Sequence, residues 1–184
     1  SNVVVSSDIP QDPVVTTRNV TITAPVTGAT PQTTIADNGQ FSTSITWSGS
    51  PSTFASNNAY TATVTVTPSG SYTLTGVSAN FFTVNGNAAT SGNLANAGTF
   101  TYLFPSTAKN TITTKNVTVT APVLGATPQT SISDNGQFSA AISWTGSPTT
   151  FAANTVYTAT ITLTPSAAYS LTGVAANFFT VNGN

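Results

Sequence analysis

The chain has 184 residues, of which 39% are hydrophobic and only 4% charged, and its formal net charge is −1. It contains no His, Cys, Met or Glu. Near-neutrality leaves no electrostatic hold on nucleic acid or on an anionic membrane. The lack of Cys rules out a disulfide framework, and no apolar stretch reaches membrane-spanning length.

Along the chain the hydrophobic period is two, never 3.6, so strands are expected and helices are not. The first segment, Val3-Val4-Val5, reads as a short unattached strand. Asp8 and Asp12 follow it on either side of Pro10. A strand is expected near 14–24, where Val20, Ile22 and Ala24 alternate with Asn19, Thr21 and Thr23, and another near 31–36. Asp37-Asn38-Gly39 is expected to be a hairpin tip, because Asn and Gly accept positive φ. Beyond it, Phe41, Ile45 and Trp47 share one face of a strand at 40–48. In Tyr60-Thr-Ala-Thr-Val-Thr-Val-Thr67 every second residue is apolar, which places a strand at 59–67. Shorter strands are expected near 71–75 and 80–84. A linker is expected over Ala88–Gly98, and a last strand, carrying Phe100, Tyr102 and Phe104 on one face, near 99–104. Trp47, Phe54, Tyr60, Tyr72, Phe81 and Phe82 are the expected core.

The pattern then repeats. Asn19–Asn87 returns as Asn116–Asn184 at a constant offset of 97 residues, and 18 of the 69 aligned positions differ. A period of this length means one structural unit per copy. The expected organisation is an N-terminal strand at 1–12, a first repeat at 13–108 and a second at 109–184, with about seven antiparallel strands in each. Dense turn signals between short alternating strands indicate an all-β sandwich or barrel. Two full periods would be 194 residues and the chain has 184, so the second repeat has no counterpart of the strand at 99–104. In the same register, residues 2–7 face that gap. Two readings follow. In one, Val3, Val4 and Val5 of one subunit complete the second repeat of the next by β-augmentation, and copies join head to tail. In the other, the chain is a window from a longer array, or the second repeat is complete without that strand. No signal-peptide pattern is present, so the chain is expected to be mature or excised, with Ser1-Asn2 a processing product or an expression scar.

Proton-transfer chemistry needs titrating groups near one another. The acids are Asp8, Asp12, Asp37 and Asp134, and the bases Arg18, Lys109 and Lys115. Asp37 and Asp134 occupy equivalent turns in different copies and read as turn residues. Asp8 and Asp12 supply two carboxylates where calcium wants six to eight oxygens, so no cofactor or metal is expected. A Lys–Asn cross-link repeated in both copies is excluded, since the counterparts of Lys109 and Lys115 are Asp12 and Arg18. Asn19-Val-Thr21 and Asn116-Val-Thr118 match the glycosylation acceptor pattern, alongside the plainer reading of one motif copied by duplication. The T-x-T rows at Thr61–Thr67 and Thr158–Thr164 suggest an ice-binding face or, more simply, solvent-facing strand threonines. A carbohydrate-binding sandwich would need an exposed aromatic pair.

The phrases TAPVTGATPQT, SITWSGSPSTF, YTATVTVTPSGSYTLTGVSANFFTV and TYLFPSTA resemble a repeat of large bacterial surface proteins, of the S-layer or adhesin type, built from tandem Ig-like β-sandwich modules. The likeness covers almost the whole chain. It rests on the spacing of Trp47, Phe54, Tyr60, Tyr72, Gly76 and Phe82, and of Trp144, Phe151, Tyr157, Tyr169, Gly173 and Phe179. It implies two Ig-like domains in tandem, an extracellular, cell-surface structural role, copies of itself as partners and no catalytic residues. The absent final strand and the scarcity of Lys and Glu depart from the pattern and favour self-assembly. A spacer or stalk role is the alternative.

Overall fold

The computed structural model describes residues 11–184, and within them the chain is all-β with no helix. Val3, Val4, Val5 and Asp8 lie outside the described residues. The chain divides into two compact units, Ser1–Thr107 and Ala108–Asn184.

Among its described residues, unit 1 holds seven strands: β1 (Asn19–Val20), β2 (Thr34–Ile35), β3 (Phe41–Trp47), β4 (Thr61–Pro68), β5 (Thr83–Val84), β6 (Asn87–Ala88) and β7 (Thr99–Leu103). The larger sheet has the order β2-β3-β4-β7 and the smaller β1-β5-β6. In β3, Phe41, Thr43, Ile45 and Trp47 are buried while Ser44 and Thr46 are exposed, as a two-residue period requires. The buried faces of both sheets contribute to one core. Phe82, one residue before β5, stacks on Phe100 of β7 with ring centroids 5.3 Å apart and meets Phe41 of β3 edge-on at 6.0 Å. The arrangement is consistent with a β-sandwich.

Several expected strands are shorter than alternation implies. The 14–24 segment is a single bridge, Val14 to Thr73, followed by the two residues of β1. Between them the backbone N–H groups of Thr16 and Thr17 both donate to the side-chain oxygen of Gln40, at 2.8 and 3.0 Å, so a side chain takes over from a ladder. The expected strand at 71–75 is reduced to that same bridge at Thr73. The expected linker begins on the last residue of β6, which forms a hairpin with β5. It also contains Gly98, where an added Cβ would sit 2.6 Å from the Val66 carbonyl oxygen. The pairing is not antiparallel throughout: β1 runs parallel to β5. Of the six expected core aromatics, Trp47, Phe54, Tyr60 and Phe82 are buried, whereas Tyr72 and Phe81 are half-buried at the edge of the cluster.

Unit 2 holds β8 (Asn110–Thr111), β9 (Asn116–Val117), β10 (Ser131–Ile132), β11 (Phe138–Trp144), β12 (Ala159–Pro165), β13 (Tyr169–Ser170) and β14 (Thr180–Val181). Its main sheet is β10-β11-β12, and the pairs β13-β8 and β14-β9 are parallel. The β11–β12 register reproduces that of β3–β4, from Phe138 opposite Pro165 to Trp144 opposite Ala159.

Candidate functional site

The two units have nearly the same sequence but differ at two sheet edges: β6 beside β5 and β7 beside β4 have no counterparts among the described strands of unit 2. In unit 1, β4 lies between β3 and β7, with Thr61 opposite Leu103, Val64 opposite Phe100 and Thr65 opposite Thr99. In unit 2, β12 pairs with β11 on one side, and no strand among the described residues pairs with its other edge. The 97-residue register would place that strand at 196–200, past Asn184.

The consequence is read in burial. Ala62, Val64 and Val66 of β4 are 0–4% exposed, whereas their counterparts Ala159, Ile161 and Leu163 are only half-buried. Phe82 and Val84 are both fully buried. Their counterparts Phe179 and Val181 are half-buried and 40% exposed, and here unit 2 also lacks the counterparts of β6, which pairs with Val84, and of Asn93, which bonds Phe82. Val156, shortly before β12 in the chain, is 93% exposed. Among the described residues, β12 therefore has one edge without a strand partner, beside the half-buried Ile161, Leu163 and Phe179. An exposed strand edge of this kind is a template for another strand.

In unit 1 the corresponding edge is covered by β7. Phe100 is 0% exposed, and Phe104 packs on Trp47 at 5.4 Å. The chain then closes over the loop before Tyr60. The Thr107 N–H donates to the Asn58 carbonyl at 3.0 Å, and its hydroxyl accepts from the Asn58 N–H at 3.1 Å and donates to the Ala55 carbonyl. Asn93, also buried, ties the 88–98 loop to the core: its amide donates to the Phe82 carbonyl at 2.8 Å and accepts from the Phe82 N–H at 3.2 Å.

The remaining candidates resolve into local structural roles. Asp37 accepts from the Gly39 N–H at 2.7 Å and from the Ser69 hydroxyl, and Asp134 accepts from Gly136 at 2.8 Å and from Ser166 at 2.8 Å. Each carboxylate closes a turn in its own unit. Asn19 and Asn116 are exposed, and both are engaged. The Asn19 side-chain oxygen accepts from the Gly86 N–H at 2.7 Å and that of Asn116 from Gly183 at 2.7 Å, while their amides lean on Thr21 and Thr118. The Asn-Val-Thr pattern thus has a structural use in each copy. Arg18 and Lys115 sit over Phe81 and Phe178, at 5.5 and 5.7 Å from the ring centroids, a cation–π contact repeated at matching positions. No group of three or more His, Cys, Asp or Glu suited to a metal occurs among the described residues.

Trp47 and Trp144 are 6% and 8% exposed, and each indole N–H donates to a carbonyl, of Gln32 at 2.7 Å and of Gln129 at 2.8 Å. Neither is a sugar-stacking platform. A depression of about 220 Å³ beside Pro31, Ile45, Trp47 and Pro51 falls below the roughly 300 Å³ at which small-molecule sites begin. No helix among the described residues is long and apolar enough to cross a membrane. Comparison with known proteins finds no matching family model, curated protein or solved structure.

Proposed function

We propose that the chain is a non-enzymatic, extracellular, cell-surface building element of Ig-like β-sandwich repeats. Copies join head to tail when a strand of one fills the open edge of unit 2 in the next. The observation that carries the proposal is the contrast, within two copies of one sequence, between β4, covered by β7, and β12, whose corresponding edge no described strand pairs. The proposed donor is Val3, Val4 and Val5. Aligned on the 97-residue register, Val3 and Val5 stand where Phe100 and Tyr102 stand in unit 1. Scarce charge suits a surface that meets copies of itself, because few ionised groups need be desolvated.

A spacer or stalk within a longer adhesin is the second reading, and one feature favours it. Only residues 104–109 separate β7 from β8, so the strand completing one repeat runs straight on into the next. A single experiment separates the two. The full chain and a form lacking Ser1–Ser7 are compared by light scattering and electron microscopy. Strand donation predicts polymers from the first and monomers from the second. Polymers from both would reject Val3–Val5 as donor, and monomers from both would favour the spacer.

A further inference from the structure

We infer that unit 1 is a tension-bearing link: the chain enters it at one end and leaves it at the other, so that a pull along the chain loads both of its terminal strands in shear. This is a mechanical function beyond the proposed one. It holds whether copies join by strand donation or stand in one array, because in both the pull passes through the backbone of the unit.

Hydrogen bonds fix the two ends. β3 starts at Phe41, opposite Pro68, and finishes at Trp47, opposite Ala62, a span of about 20 Å at the usual strand rise. The chain enters beside the Phe41 end, where the Thr16 and Thr17 N–H groups donate to the Gln40 side chain. It leaves beside the Trp47 end. There Leu103 lies opposite Thr61, and the Phe104 N–H donates to the Tyr60 carbonyl at 2.9 Å. Thr107 follows, seated in a socket of Ala55 and Asn58 backbone groups.

Both terminal segments run from the entry end to the exit end. The Thr23 N–H donates to the Gln32 side chain at 2.8 Å, and the Gln32 carbonyl accepts the Trp47 indole N–H, so residues 16–23 cross the unit. β7 runs the same way, from Thr99 opposite Thr65 to Leu103 opposite Thr61. A pull on the unit therefore draws the first segment backward and β7 forward, each along its own axis. Sheet hydrogen bonds lie across the strands, so such a pull strains them together instead of one after another. On the first segment three side-chain amides add to the ladder. Gln40 holds Thr16 and Thr17, Asn85 holds both backbone groups of Ile22, and Gln32 holds Thr23.

The first segment of unit 2 carries the same three clips: Gln137 on Thr113 and Thr114, Asn182 on Val119, and Gln129 on Thr120. Asn93 supplies an internal contrast. Its side chain bonds both backbone groups of Phe82, as that of Asn85 bonds both of Ile22. Neither Asn93 nor Phe82 lies on a terminal strand, so this clip stands off the path of the load.

The test is single-molecule force spectroscopy on the full chain. It has no cysteine of its own, so two introduced cysteines set the axis of pull. Asp12→Cys with Ala108→Cys stretches unit 1 end to end. Asp12→Cys with Ser71→Cys parts two neighbours at the entry end, where the Thr73 N–H donates to the Pro13 carbonyl, and peels the first segment away bond by bond. The inference predicts a peak force several-fold higher for the first pair. Forced unfolding follows the unfolding barrier and not the equilibrium stability. Asn85→Ala should therefore lower the end-to-end force, whereas Asn93→Ala should leave it in place while lowering the urea midpoint of unit 1. Equal forces along the two axes, or the same fall in force for both variants, would overturn the inference. The two-axis comparison needs neither alanine variant to fold. Polymerisation plays no part in a single-molecule pull, so failure of strand donation would leave this result unchanged.

Discussion

Replacing Phe100 by alanine tests whether β7 is the element that completes a unit. Phe100 is fully buried, lies opposite Val64 and stacks on Phe82 with an interplanar angle of 11°. Truncating a buried phenylalanine costs about 3–5 kcal/mol, of which about 0.5–1.5 kcal/mol is the ring–ring contact. With a urea dependence of about 2 kcal/mol per molar, the unit 1 midpoint should fall by about 2 M. The assay is built into the molecule, because the only two tryptophans are divided between the units, Trp47 in the first and Trp144 in the second. Fluorescence of the chain with Trp144→Phe reports unit 1, and with Trp47→Phe it reports unit 2. Phe100→Ala should lower the Trp47 transition and leave the Trp144 transition in place. A shift in the Trp47 midpoint below about 0.5 M, under the loss expected for a buried ring, or an equal shift in both, would refute the reasoning.

Other substitutions probe the parts that β7 does and does not touch. Thr43 is buried and its hydroxyl has no hydrogen-bond partner, where unit 2 carries Ala140. Thr43→Val should raise unit 1 stability by about 1 kcal/mol in urea denaturation, by removing an unsatisfied polar group without opening a cavity. Gly98→Ala should cost unit 1 about 1–3 kcal/mol by the same measurement, because the new methyl meets the Val66 carbonyl at 2.6 Å and Leu74 at 2.8 Å. Asn85 and Asn182 each hold a positive φ and bond both backbone groups of one residue, Ile22 and Val119 respectively, at 2.8–2.9 Å. Asn85→Ala and Asn182→Ala should therefore cost about 2–3 kcal/mol each, equally in the two units, as seen in the separate tryptophan transitions.

The long strands were legible in the sequence because alternation is a strong signal over seven or eight residues: β3, β4 and their copies lie where Phe41–Trp47 and Thr61–Thr67 alternate. The short strands were not. Segments 14–24 and 71–75 alternate well enough, but their backbone groups go to the Gln40 side chain, to turns and to a parallel bridge, and composition does not announce a side chain standing in for a ladder. That no described strand pairs with the far edge of β12 agrees with the 97-residue register, which needs only counting. The Thr107 socket was not: a threonine after Pro105-Ser106 reads as linker until the loop at Ala55–Asn58 is seen around it. The paired Asn-Val-Thr motifs show the reverse case, a recognisable modification signature that the fold employs as a turn clip at Gly86 and Gly183.

The most direct measurement of strand donation is a disulfide placed across the joint, in a chain that has no cysteine of its own. In unit 1, Thr63 stands opposite Thr101, and the 97-residue register carries that pair to Thr160 and Val4. A chain with Val4→Cys and Thr160→Cys, oxidised and run without reductant, should form a ladder of covalent multimers. Val5→Cys with Thr160→Cys, one residue out of register and facing the other side of the strand, should not. Monomer alone from the first pair, or equal ladders from both, would contradict the account.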